Sequence, residues 1–247
     1  MGRWRTVALG MTALLIVGTP GGATARAPVT DLAARVSPND GGTATKPTKV
    51  KVQLSHSASF GPGEDRATSK LVFFFPRQIT FSGRAFKACS PSVLNDADPG
   101  TQCPLRSKVG FGVATYEVGG FGEFEATLTA YNGPSGKSVV IRVQAGSPAN
   151  LDLGVEGVLL SARRPFGTKM VTSFPPSLQS ASTIPVVLTS FLLTLEGRAK
   201  YVIRDGRRVY VPYLGLGRCG GSRLEFKSAT TFTTGSSSAA DDQLCRP

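Results

Sequence analysis

The chain has 247 residues, with 28 Lys and Arg against 16 Asp and Glu, a formal charge of +12, one His, four Cys and one Trp. One His excludes metal sites built from several imidazoles, and no G-x-S-x-G elbow is present to hold a serine nucleophile beside it. The basic balance points to anionic partners, but no interleaved aromatic and basic motif marks a nucleic-acid binder.

Arg3 and Arg5 precede an apolar run from Val7 to Val17, followed by the small residues Ala23-Thr24-Ala25-Arg26-Ala27. This pattern predicts a signal peptide over residues 1–25, cleaved after Ala25 or, in the other frame, Ala27. The run is shorter than the roughly 20 apolar residues a bilayer requires, so no membrane span is expected in the mature chain. Cleavage removes Arg3 and Arg5 and no acid, leaving +10. A secreted protein, soluble or loosely held at the cell wall, is expected.

Residues 26–48 are rich in Ala, Pro, Thr and Gly. Thr30 to Val36 has room for a helical turn or two before Pro38 and Gly41-Gly42 break it, so this stretch reads as a flexible leader. One β-sandwich domain is predicted over residues 49–235. In KVKVQLSHS, Val50, Val52 and Leu54 alternate with Lys49, Lys51 and Gln53, and LVFFF at 71–75 reads as a strand buried on both faces. His56 falls on the outer side of the first of these strands, among Ser55 and Ser57. A meander follows: 109–118 and 121–131 joined at Gly119-Gly120, then 138–145 and 151–161.

Residues 163–185, with Pro165, Pro175, Pro176 and Pro185, read as a long loop. VVLTSFLLTLE at 186–196 fits a central strand, 198–204 and 207–213 form a hairpin about Asp205-Gly206, and 222–233 is the last strand. Residues 236–247 are expected as a C-terminal tail tied by Cys245. About ten strands with little helix give an all-β class, an antiparallel sandwich of Greek-key, immunoglobulin-like or jelly-roll-like form.

Cys89, Cys103, Cys219 and Cys245 permit three pairings, among which sequence does not choose. Local bridges Cys89–Cys103 and Cys219–Cys245 are expected, because each would order a polar, turn-rich segment. The stretch from Cys103 reads CPLRSKVGFG; with Phe75-Pro76 and Cys89 before it, and Cys219 and Cys245 after it, the pattern spans roughly residues 70 to 245. In these residues the chain resembles a group of exported, functionally uncharacterised proteins of high-GC Gram-positive (actinobacterial) bacteria. The resemblance implies a secreted β-sandwich with two local disulfides and transfers no activity.

The candidate binding residues are Arg198, Lys200, Arg204, Arg207 and Arg208 in and beside the hairpin, with Tyr201, Tyr210 and Tyr213 near them. Together they could face an anionic cell-wall polymer; Arg163, Arg164 and Lys169 form a second basic group. No cofactor pattern is present: YNGPSGKS lacks the first Gly of a phosphate loop and is followed by a strand pattern. Glu123, Glu125, Asp152 and Glu156 are the carboxylates of an alternative reading, a glycan-active hydrolase. Asp152 and Glu156 would stand ~13 Å apart along an extended strand. A third reading has the 163–185 loop engaging another secreted protein. The primary expectation is a non-enzymatic structural or binding module.

Overall fold

The computed structural model describes residues 28–43, 45–61, 67–95, 102–119, 121–147, 150–181 and 184–246. The expected signal segment lies outside them. In chain order the strands are β1 (Val29–Ser37), β2 (Thr48–Lys49), β3 (Lys51–Ser59), β4 (Thr68–Pro76), β5 (Ile79–Phe81), β6 (Lys108–Val118), β7 (Gly122–Asn132), β8 (Ser138–Ala145) and β9 (Leu151–Ser161). They continue as β10 (Phe166–Ser173), β11 (Ser180–Ala181), β12 (Ile184–Glu196), β13 (Ala199–Arg204), β14 (Arg207–Pro212), β15 (Leu214–Leu216), β16 (Arg223–Phe232) and β17 (Gly235–Leu244). The all-β, antiparallel expectation holds.

One sheet dominates, in the order β1-β3-β12-β6-β7-β8-β9-β10-β4-β16-β17, with β11 added to β12. It folds over so that its two halves face each other across one core. His56 of β3 and Phe191 of β12 meet Phe73 of β4 edge-on, at centroid distances of 6.2 and 5.5 Å. Irregular register between Lys108 and Gly110, Leu188 and Ser190, Phe166 and Thr168, and Thr231 and Phe232 bends the strands, as bulges do. A small sheet, β2-β15-β5, lies at the end where β12 finishes and β6 begins, here called the upper end.

The seam between β1 and β17 is closed by side chains. Asp241 Oδ2 accepts the Ala34 N–H at 2.7 Å. Gln243 Oε1 accepts the Val36 N–H at 2.7 Å while its Nε2 donates to the Val36 carbonyl at 3.1 Å. Thr30 and Ser237 hydroxyls meet at 2.9 Å. The two strands run parallel, and these side chains satisfy the outer edge of β1 as a backbone ladder would.

Two expectations are corrected at this seam. The leader at 26–48 contains β1, whose alternate residues Thr30, Leu32, Ala34 and Val36 are buried. The tail at 236–247 lies almost wholly in β17, paired with β16 from Phe232↔Gly235 to Arg223↔Leu244. A third correction concerns 163–185: the span contains β10, hydrogen-bonded to both β9 and β4. Met170 and Thr172 supply its buried face.

LVFFF also differs from its expectation. Leu71, Phe73 and Phe75 are buried inside, whereas Val72 and Phe74 lie half-buried on the other face, Phe74 against Phe166 at 5.2 Å. His56 is the reverse case, expected outside and found in the core at 3 % exposure. Both disulfides form as expected, Cys89–Cys103 and Cys219–Cys245. The first packs with Leu94 over Val140, and the second is braced by the Cys245 N–H bond to the Ser222 carbonyl.

Gly110 and Gly112 of the VGFG stretch allow β6 to lie close under β12. A Cβ on Gly112 would stand 2.1 Å from the Leu192 carbonyl oxygen, and one on Gly110 2.3 Å from that of Thr194. Since backbone rather than a flexible side chain is in the way, Gly112→Ala is expected to cost about 2 kcal/mol or more. Urea unfolding checks this; a loss below ~0.5 kcal/mol would show that the strands separate freely.

Candidate functional site

Gly197 ends β12 where the chain passes under Tyr213, to whose Cβ an added methyl would come within 2.1 Å. Tyr213 is fully buried, packed on Phe81 and Phe86, and burial pushes its hydroxyl pKa upward. Its N–H bonds the Arg198 carbonyl and its carbonyl accepts from Ser82. This buried root carries the β13–β14 hairpin, which pairs with no other strand among the described residues.

Asp205 (φ 49°) and Gly206 (φ 72°) make the predicted tight turn. Residues 203–208 are exposed, Ile203 at 72 %. The Arg208 guanidinium lies 4.0 Å from the Tyr201 ring centroid, and Tyr201 meets Tyr210 at 5.5 Å. Lys200 Nζ sits 5.4 Å from the Phe86 centroid. These contacts hold cationic heads over aromatic faces without neutralising them.

The five expected basic residues are spread from the root of the hairpin to its turn. Arg198 lines a groove with Lys49, Lys51 and Lys108, bordered by Leu105 and Phe111, which are 82 % and 46 % exposed. Arg204 lines a second groove with Arg84 and Lys137, beside the touching backbones of Gly83 and Gly136. Arg207 and Arg208 are exposed on the second strand of the hairpin. Asn132 fixes the Arg84 segment through its amide, which donates to the carbonyls of Gly83 (3.0 Å) and Lys87 (2.9 Å).

Lys49, Lys108, Arg84 and Lys137 were not legible as site residues. They are dispersed over the chain, and the signal available was only their position beside strand ends or turns. Lys51 pairs with Glu196 at 3.2 Å. Among the described residues the other ion pairs are Arg142–Asp152 and Arg223–Asp242. The cations of the hairpin and grooves other than Lys51 therefore have no carboxylate partner among those residues.

The four carboxylates stand on two strands that are not neighbours, Glu123 and Glu125 on β7 and Asp152 and Glu156 on β9. Asp152 is held by Arg142 through Nε (2.7 Å) and Nη2 (2.6 Å) and by Gln144 at 3.2 Å. The Arg142 hydrogen bonds, partly opposed by burial, keep it below the usual carboxylate range. Glu123 and Glu125 lie on the exposed face of β7, in register with Glu117 and Thr115 of β6, whereas Glu156 is on β9 opposite Val140 of β8. The YNGPSGKS segment is a hairpin turn, with Ser135 and Gly136 at φ 56° and 61°. Arg163, Arg164 and Lys169 flank and enter β10.

Among the described residues no group of three or more His, Cys, Asp and Glu side chains is placed to hold a metal, and no helix is long and apolar enough to cross a membrane. Fold and site define an all-β domain dominated by one folded-over sheet, with an exposed basic hairpin. No protein-family model matches the sequence, and no curated protein matches it.

Proposed function

We propose that the mature chain is an exported, non-enzymatic binding module, at the cell surface or in the medium, that holds an anionic cell-wall polymer across its upper end. The observation that carries this reading is the gathering of Lys49, Arg84, Lys108, Lys137, Arg198 and Arg204, from dispersed chain segments, into two grooves beside the basic hairpin. The acids in the grooves and hairpin are Glu196, already paired, and Asp205 in the turn. Like charges collected this way repel one another, a cost an extended polyanion relieves. Two grooves, one at the root of the hairpin and one near its turn, suit a polymer better than a compact ligand.

Against the glycan-hydrolase reading, Asp152 is committed to Arg142 and Glu123 and Glu125 lie on an exposed strand face. The partner-loop reading loses its loop, because deleting residues 165–183 would remove β10 from the middle of the sheet.

Purified sacculi test the proposal. The mature protein is expected to bind at low salt and elute as ionic strength shortens the screening length from about 10 Å at 0.1 M to about 3 Å at 1 M. An Arg198/Arg204/Arg207/Arg208→Ser variant and a Lys49/Arg84/Lys108/Lys137→Ser variant should each elute markedly earlier. If parent and variants wash off together at low salt, the reading fails.

A further inference from the structure

At the lower end, away from the basic hairpin, the interior of the folded sheet is not filled. A cavity of about 80 Å³ lies between the two halves, lined by side chains of β4, β6, β7, β8, β9, β10 and β12 and by the turn at Leu178. Its wall is hydrocarbon apart from Thr68, Thr172 and Tyr116. Ile141, Val143, Leu151, Phe174, Leu178 and Leu188 are only half-buried although they face it. Such partial exposure of core-facing residues shows that these side chains do not seal the space at this end.

Tyr116 supplies an unpartnered polar group in this wall. It is 4 % exposed, and its hydroxyl is buried without a hydrogen-bond partner. An orphaned buried hydroxyl is costly in a finished core. Burial raises its pKa, so it stays protonated and available as a donor at neutral pH. Tyr116 lies near the end of β6, paired with Leu188 of β12, so it sits toward the lower end.

The size of the space narrows the ligand. Lining residues run from Val186 to Leu193 on β12 and from Thr68 to Phe73 on β4, ~17–23 Å of strand. Yet the free volume is about half of the roughly 150 Å³ that accommodates a benzene ring. A space too small for a ring admits the narrower section of a single alkyl chain. It accommodates a few methylenes as it stands, and Met170, an unbranched lining side chain, can yield to more.

We propose that this cavity binds a single fatty-acyl chain, its hydrocarbon end directed toward Phe73, Phe191 and Leu193 and its carbonyl accepting a hydrogen bond from the Tyr116 hydroxyl. The site is independent of the polyanion face and stands at the opposite end of the sheet. The protein would thus carry a lipid chain as well as a wall-binding face.

The mature, disulfide-intact protein is titrated with cis-parinaric acid, a linear fluorescent fatty acid. Saturable one-site binding, displaced by palmitate but not by naphthalene, is expected. Tyr116→Phe should weaken binding about five- to tenfold while raising the melting temperature of the free protein, since it removes an unsatisfied group. Ala114→Leu and, separately, Val143→Phe should fill the space and abolish binding, with circular dichroism showing that at least one remains folded. No saturable binding by the parent overturns the proposal. So does undiminished binding by a folded filling variant, or a Tyr116→Phe variant that binds as tightly as the parent.

Discussion

Replacing Asp241 and Gln243 together by Ala is expected to lower the unfolding free energy by about 3–5 kcal/mol. The two side chains satisfy the N–H groups of Ala34 and Val36 and the carbonyl of Val36, and both of these β1 residues are at least 96 % buried. Truncation leaves three backbone groups short of partners, each worth about 1–3 kcal/mol when buried and unsatisfied. The loss is limited because water can reach the half-exposed β17 side of the seam. Urea unfolding with both disulfides intact measures it, and Ser236→Ala with Ser238→Ala on the exposed face of β17 is the control, expected within ~0.5 kcal/mol of the parent. A loss no larger than the control's would mean that packing alone closes the sheet.

Acid is expected to destabilise the protein through His56. The imidazole sits between Phe73 and Phe191, with Nε2 3.2 Å from the Thr230 hydroxyl and Nδ1 without a well-placed partner. Burial lowers its pKa from 6.5 to about 4; the nearby Asp31 carbonyl and carboxylate pull upward, but by less. The unfolded chain takes up the proton near pH 6.5, whereas the folded chain resists it until about pH 4. Between those values the unfolded state holds more protons, so stability falls as pH drops and levels off below about pH 4. The full effect is about 3 kcal/mol.

Urea midpoints at pH 7.0, 5.5 and 4.0 measure this, with His56→Gln beside the parent. Gln does not titrate and can still meet Thr230, so the difference between the two proteins isolates the imidazole from the carboxylates they share. The variant should lose less stability than the parent across this window. Parallel pH profiles would show that the core admits the charged ring at no cost.

Local pattern determined much of the fold. In β3, β7 and β16 apolar and polar residues alternate, and period-2 alternation is what a sheet with one buried face imposes. The Asp205-Gly206 turn was legible for a related reason: both residues adopt positive φ, which Gly and Asp tolerate. The two disulfides follow from cysteines flanking polar segments in a chain expected to leave the cell.

Other elements were decided only by tertiary structure. Ser237, Ala239, Asp241 and Gln243 of β17 show no apolar period, because their work is to satisfy the edge of β1, and a partner 207 residues away in sequence leaves no local trace. β10 was hidden by the prolines around it and by a buried face that includes a Thr. His56 looked like an outward residue among serines; its inward position follows from the same alternation that buries Val52 and Leu54, read through to the end of the strand. The basic grooves are the clearest case. Charges on separate turns and strand ends become neighbours only when the sheet brings those ends together, because an exposed Lys or Arg imposes no pattern on its own segment.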